Sequence, residues 1–112
     1  MAHALTIEMA PFVLADGVTV ETLLEASERL ERDFLSGADG YIGRVLVKKD
    51  RETWADIVFW ESHEQAMRAM EAAVSSEACN AYFQCMAAAN HDDPGQGVMH
   101  FESVKTYGSA PI

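Results

Sequence analysis

Residues 41 to 61 constrain this chain more than any other stretch. Tyr41 to Lys49 and Thr53 to Glu61 are rich in β-branched and aromatic residues, notably Val45-Leu46-Val47 and Ile57-Val58-Phe59-Trp60. Such side chains favour an extended, pleated backbone. Only Asp50-Arg51-Glu52 separates the two runs, so they form an antiparallel hairpin. Whatever else the chain folds into must be arranged around that hairpin.

The flanks are helical and then extended again. Upstream, Val20, Leu23, Leu24, Leu30 and Phe34 form one stripe of a helix over about Thr19 to Ser36, since helical neighbours recur every three or four residues. Thr19 is placed to cap its start, and Gly37 to stop it. A first strand, about Ala4 to Phe12, ends near Pro11 and the turn Ala15-Asp16-Gly17. Downstream, Ser62-His63-Glu64-Gln65 fits a capping box, in which the Ser hydroxyl covers a free N–H and Gln reaches back. Met67, Met70, Ala73 and Val74 form the apolar face of the helix that follows. Ser75-Ser76-Glu77 breaks it, and a second helical piece runs from Ala78 to Asn90 with Tyr82, Phe83 and Met86 inward. A loop from His91 to Gly97 leads to a last strand, Val98 to Tyr107, and a tail from Gly108 to Ile112. The order β-α-β-β-α-β in one domain spanning residues 1–112 predicts an α+β, ferredoxin-like fold. Its usual closure is a four-stranded antiparallel sheet, order 4-1-3-2, with both helices on one face.

Charge narrows the partners. Eight Lys and Arg face eighteen Asp and Glu, a net charge of -10, which repels nucleic-acid phosphates and anionic membrane surfaces alike. No run approaches the ~18 apolar residues of a membrane span. The first residues carry no basic, apolar leader; a cytoplasmic protein is expected. Cys79 and Cys85 lie six apart on a predicted helix, on different sides of it, so neither a disulfide nor a metal pair is expected. His63 reads as a surface residue at a helix start, His91 as a loop residue and His3 as a terminal one.

Two helices cover only one sheet face, and the other must meet water or protein. Strand alternation sorts the side chains. In the third strand Ala55, Ile57 and Phe59 are uniformly small or apolar and are expected beneath the helices. Trp54, Asp56, Val58 and Trp60 then fall on the open face, with Thr6, Glu8, Ala10 and Phe12, with Ile42, Arg44, Leu46 and Lys48, and with Val98, His100, Glu102 and Val104. Met99 and Phe101 are expected to face the helices. So apolar an open face points to a second copy packed sheet against sheet. The enclosed polar groups would run His100, Glu8, Asp56, Arg44 across neighbouring strands. They make either an ion-pair network around Arg44, since buried charge needs a partner, or a ligand cavity of apolar walls and few polar groups. In the cavity, His100 would accept a proton and Arg44 would hold an oxyanion.

The stretch from Ala55 to Ala66, with its strand ending Trp60-Glu61-Ser62 before a helix rich in Glu and Ala, resembles the dimeric α/β-barrel superfamily. It is most similar there to antibiotic-biosynthesis-monooxygenase-like (ABM-like) domains. Asp39-Gly40-Tyr41 resembles their turn into the second strand, and Ser76-Glu77-Ala78 with Tyr82-Phe83 their broken second helix. The resemblance implies a homodimer with a pocket inside the barrel or between sheet and helices. It also implies oxidation of a small quinol-type aromatic by oxygen without metal or flavin. On that footing His100, Arg44, Asp56 and Glu8 are the candidate catalytic residues, and Trp60, Phe12, Val58 and Leu46 the candidate substrate walls. Some relatives degrade haem, using a Trp early in the second helix and a His later. Met67-Arg68-Ala69-Met70 and Ala81-Tyr82-Phe83-Gln84 offer neither, so no cofactor is expected. A non-catalytic binder of an aromatic metabolite, or a structural or stress-associated dimer, is the alternative.

Overall fold

The computed structural model describes residues 4–87 and 97–110. His3, His91 and the expected helix end and loop over residues 88–96 lie outside them. The elements are β1 (Thr6–Val13), α1 (Val20–Asp33), a 3-10 turn (Leu35–Gly37), β2 (Tyr41–Lys48), β3 (Thr53–Trp60), α2 (His63–Ala73), α3 (Glu77–Phe83) and β4 (Met99–Glu102). The strands form one sheet in the order β2-β3-β1-β4, the expected order read from the other edge, with every neighbouring pair antiparallel.

Local chemistry sets the boundaries. Thr19 Oγ1 accepts from the Thr22 N–H at 3.1 Å, and Ser76 Oγ from the Cys79 N–H at 3.2 Å. Ser62 Oγ accepts from the Gln65 N–H at 3.2 Å and donates to Gln65 Oε1 at 3.0 Å. The glutamine thus reaches back to the hydroxyl rather than to the backbone. Gly40 adopts φ +82, and a Cβ there would stand 2.3 Å from Gln65 Oε1; the turn into β2 is pressed against the first turn of α2. The second helical piece stops at Phe83 instead of Asn90. Beyond it the backbone finds partners elsewhere: Ala87 N–H donates to Val13 O at 2.7 Å, and Cys85 O accepts from the Ala15 N–H at 2.9 Å. Backbone groups satisfied on β1 and its following loop are lost to the helical ladder. β4 is also shorter than expected, ending at Glu102.

The pleat sorts side chains into the expected sets, but the sets face the opposite ways. Trp54, Val58 and Trp60 lie beneath the helices, in one core with Leu23, Leu30, Cys79 and Tyr82. Register carries Glu8, opposite Val58 and His100, and Arg44, also opposite Val58, to the same side. Ala55, Ile57 and Phe59 occupy the uncovered face. There Met9 aligns with Ile57 and Met99, Ile7 with Phe59 and Phe101, and Val45 with Ile57. Met99 and Phe101, expected under the helices, are therefore outside, Phe101 at 50% exposure. Apolarity does not mark the covered face here, because the helices supply polar partners and the mixed face is the satisfied one. The wholly apolar face is left without cover. Ile42 departs for its own reason: a register shift between Tyr41 and Gly43 leaves it exposed, while Tyr41 packs edge-on against Trp60, centroids 5.7 Å apart.

Candidate functional site

A cavity of about 150 Å³ lies between sheet and helices. Its floor is Glu8, Ala10 and Phe12 from β1, Arg44 from β2, and Asp56, Val58 and Trp60 from β3. The helices roof it with Leu30 and Phe34, Met70 and Ala73, and Cys79, Tyr82 and Phe83.

Arg44 and Asp56 organise one wall, each with a side chain only 8% exposed. Arg44 Nη1 donates to Asp56 Oδ1 at 3.2 Å, and Nη2 to Ser27 Oγ at 2.6 Å and Ser27 O at 3.0 Å. Its Nε stands 3.7 Å from Glu31 Oε1, which also accepts from the Tyr41 hydroxyl at 2.7 Å. Asp56 Oδ2 accepts from the Tyr82 hydroxyl at 2.6 Å, and the guanidinium sits 5.6 Å from the Tyr82 ring centroid. Burial pushes the Asp56 carboxyl above its usual range, against the pull of Tyr82 and Arg44. Burial and the adjoining carboxylate push the Tyr82 phenol well up, so it remains a donor. The expected ion pair exists, and three helical residues complete it.

Glu8 forms the opposite wall. Its Oε1 lies 3.2 Å from His100 Nε2, and burial pushes its carboxyl above the usual range although His100 favours the ionised form. Trp60, 2% exposed, lines the same cavity, and its indole Nε1 is buried without a hydrogen-bond partner. Its N–H acts on Glu8 as a hydrogen-bond donor that favours the ionised form, without meeting the geometry of a full hydrogen bond. His100 does not reach the cavity. It lines a separate hollow of about 350 Å³ with Thr6, Ser62, His63 and Glu102, its ring edge-on to that of His63, centroids 5.5 Å apart.

Six of the eight candidates thus share one cavity: Glu8, Arg44, Asp56, Trp60, Phe12 and Val58. That cavity lies under the helices, not between two sheets. His100 touches it only through Glu8, and Leu46 packs on the core beside it. Three residues were overlooked. Ser27 interrupts the apolar stripe between Leu23 and Leu30, the mark of a buried polar contact. Tyr82 points inward as expected, and its hydroxyl finds its partner in Asp56. His63 carried no signal, because only the fold brings it beside His100. Both cysteines are free and buried, Cys79 in α3 and Cys85 in the turn after it.

Among the described residues no group of three or more His, Cys, Asp or Glu is placed to hold a metal, and no helix is long and apolar enough to cross a membrane. The α2 and α3 residues that line the cavity include no histidine, and its volume is that of a single benzene ring, so haem does not fit.

No family model and no curated protein matches the sequence. Solved structures do. A candidate antibiotic biosynthesis monooxygenase from Bordetella bronchiseptica superposes with TM-score 0.69 at 15% identity, covering 93% of this chain and 99% of that one. The chain has the ABM-like fold. SnoaB, a cofactor-independent oxygenase from Streptomyces nogalater, matches at TM-score 0.57 and 14% identity over 97% of this chain and 99% of its own. A haem-degrading protein of Mycobacterium tuberculosis matches at TM-score 0.52 and 17% identity, over 96% and 99%. At these identities the ABM-like likeness is one of backbone, and the chemistry must come from the residues of this cavity.

Proposed function

We propose that this protein is a cofactor-independent, monooxygenase-like enzyme that oxidises a small quinol-type aromatic in the cavity under its helices. One observation carries the reading: the Trp60 indole N–H is buried without a full hydrogen bond, and Trp60 lines an apolar cavity together with an ionisable Glu8. Buried donors are normally satisfied, and an aryl hydroxyl satisfies this one. Its oxygen accepts from Trp60 while its hydrogen points to Glu8. An apolar cavity of about this volume accommodates one benzene ring, so the substrate is a single-ring hydroxyarene.

Glu8 takes the hydroxyl proton. Trp60 N–H and the positive field of Arg44 stabilise the resulting oxyanion. The electron-rich ring then adds dioxygen at an unsubstituted carbon, and the O–O bond breaks with loss of water. A hydroxyarene plus dioxygen gives a quinone plus water: one oxygen atom enters the ring, and the ring supplies all the electrons. The apolar uncovered sheet face, with Val45, Ile57, Met99 and Phe101, supports a homodimer packed through it.

A second reading has its own support. Arg44 is bound on both sides by Asp56 and Ser27, and Asp56 is held again by Tyr82, a closed network that a non-catalytic binder or a structural dimer would also keep. Incubation with a panel of hydroquinones in air and without oxygen separates them. Oxygen uptake with formation of a quinone carrying one added oxygen atom, lost anaerobically and in Trp60→Phe, is the expected result. A raised melting temperature with no product would make the protein a binder. Neither effect would make it a structural dimer.

A further inference from the structure

We infer that Glu8, His100 and His63 form a proton path that connects the cavity to solvent. The inference rests on reading Glu8 as the cavity's base. A carboxylate that takes a proton in a largely apolar site must release it before it can act again. Asp56 offers no way out, because its oxygens are engaged by Arg44 and Tyr82. Of the side chains that act on Glu8 as hydrogen-bond partners, Trp60 offers only an N–H, and the one that can accept a proton is His100, its Nε2 at 3.2 Å.

His100 stands on the far side of that contact, in a hollow that is not the cavity. His63 occupies the first position of α2, is exposed, and meets the His100 ring edge-on, the two planes 86° apart. The chain of groups therefore runs from a wall of the cavity, through one enclosed imidazole, to one at the surface. The charged and titratable groups facing it are Glu8 from β1, Glu102 from β4, His63 from α2 and, acting on Glu8, Asp56 from β3. All but the imidazoles are acidic.

The transfer balances in two steps. The Glu8 carboxyl gives its proton to the lone pair of neutral His100, restoring the carboxylate and forming an imidazolium. The imidazolium loses a proton to water in the hollow or to His63, and returns to neutral. Burial makes Glu8 hold its proton more firmly than an ordinary carboxyl, which strengthens it as the cavity's base and makes the hand-over to His100 less favourable than from an exposed carboxyl.

The test uses the ligand-free protein. A laser-released proton pulse is followed by time-resolved infrared spectroscopy at the Glu8 carboxyl band, identified by its loss in Glu8→Gln. His100→Ala should slow the appearance of the band roughly tenfold or more, within the span that positioned proton-transfer groups supply. Added imidazole should restore the rate, which a merely structural residue would not allow. His63→Gln, at the surface and safe for folding, should slow it severalfold. A rate within twofold of wild type in a folded His100→Ala overturns the path. Should that variant not fold, an unchanged rate in His63→Gln overturns it instead. Binding of 4-nitrophenol, read by its colour, is scored separately: failure to bind counts against the aromatic site and leaves the proton measurement intact.

Discussion

Replacing Arg44 by alanine tests the polar wall most directly. The side chain is enclosed, and so is its partner Asp56. Removing the guanidinium leaves a carboxylate that burial already pushes toward the acid form, along with a Ser27 carbonyl and hydroxyl that lose their donor. Breaking a buried pair on one side costs roughly 3–5 kcal/mol. The Tyr82 hydroxyl still donates to Asp56, which places the expected loss at the lower end, about 3 kcal/mol. With an unfolding entropy of roughly 2.1 cal/mol/K per residue over 112 residues, that is a fall in Tm of about 13 °C. Scanning calorimetry at pH 7 reads it. The loss has a signature that a simple cavity lacks. It should shrink on acidification, when Asp56 becomes neutral, and in the double variant Arg44→Ala/Asp56→Asn. A Tm within two or three degrees of wild type, or a loss of the same size with Asp56→Asn in place, would refute the view that Arg44 compensates a buried charge.

Three further expectations follow from other parts of the molecule. Phe101→Asp, on edge strand β4 of the uncovered sheet face, should convert the proposed homodimer to monomer in sedimentation velocity; a dimer of unchanged affinity would place the interface elsewhere. Because burial raises Glu8 above the usual carboxyl range, its contribution to stability is present at low pH and is lost as pH rises through the folded-state value. Glu8→Gln should therefore gain in Tm relative to wild type between pH 4 and pH 8, and a constant difference would contradict this. Burial also pushes the Cys79 and Cys85 thiols up. Iodoacetamide at pH 8 should label them slowly in the native protein and fully in urea, as mass spectrometry would show, whereas rapid native labelling would mean the segment after α2 opens readily.

Element order and strand order were legible because each rests on short-range signals: the Asp50-Arg51-Glu52 turn, the Thr19 and Ser62 caps, and the stripe from Val20 to Phe34. The grouping of Glu8, Arg44, Asp56 and His100 on one face was legible too, since alternation is a property of the strand alone. Which way that face points was not. It depends on what α1 and α3 bring down onto the sheet, and Ser27 and Tyr82 acquire their meaning only once the helices are docked. The division of the polar residues into a cavity wall and a His100–His63 hollow is likewise a product of packing. So is the end of α3 at Phe83, where β1 competes for backbone hydrogen bonds.

The contact between Gly40 and Gln65 ties two distant parts of the molecule together. Any side chain at position 40 must displace Gln65, whose carboxamide holds the Ser62 hydroxyl at the start of α2. The residue after Ser62 is His63, so a change in a turn on one edge of the fold is relayed to the angle at which an imidazole meets His100 on the other. Position 40 thus acts as a set screw for the surface end of the polar chain. A side chain at that position is limited by the place of Gln65 as well as by its own positive φ.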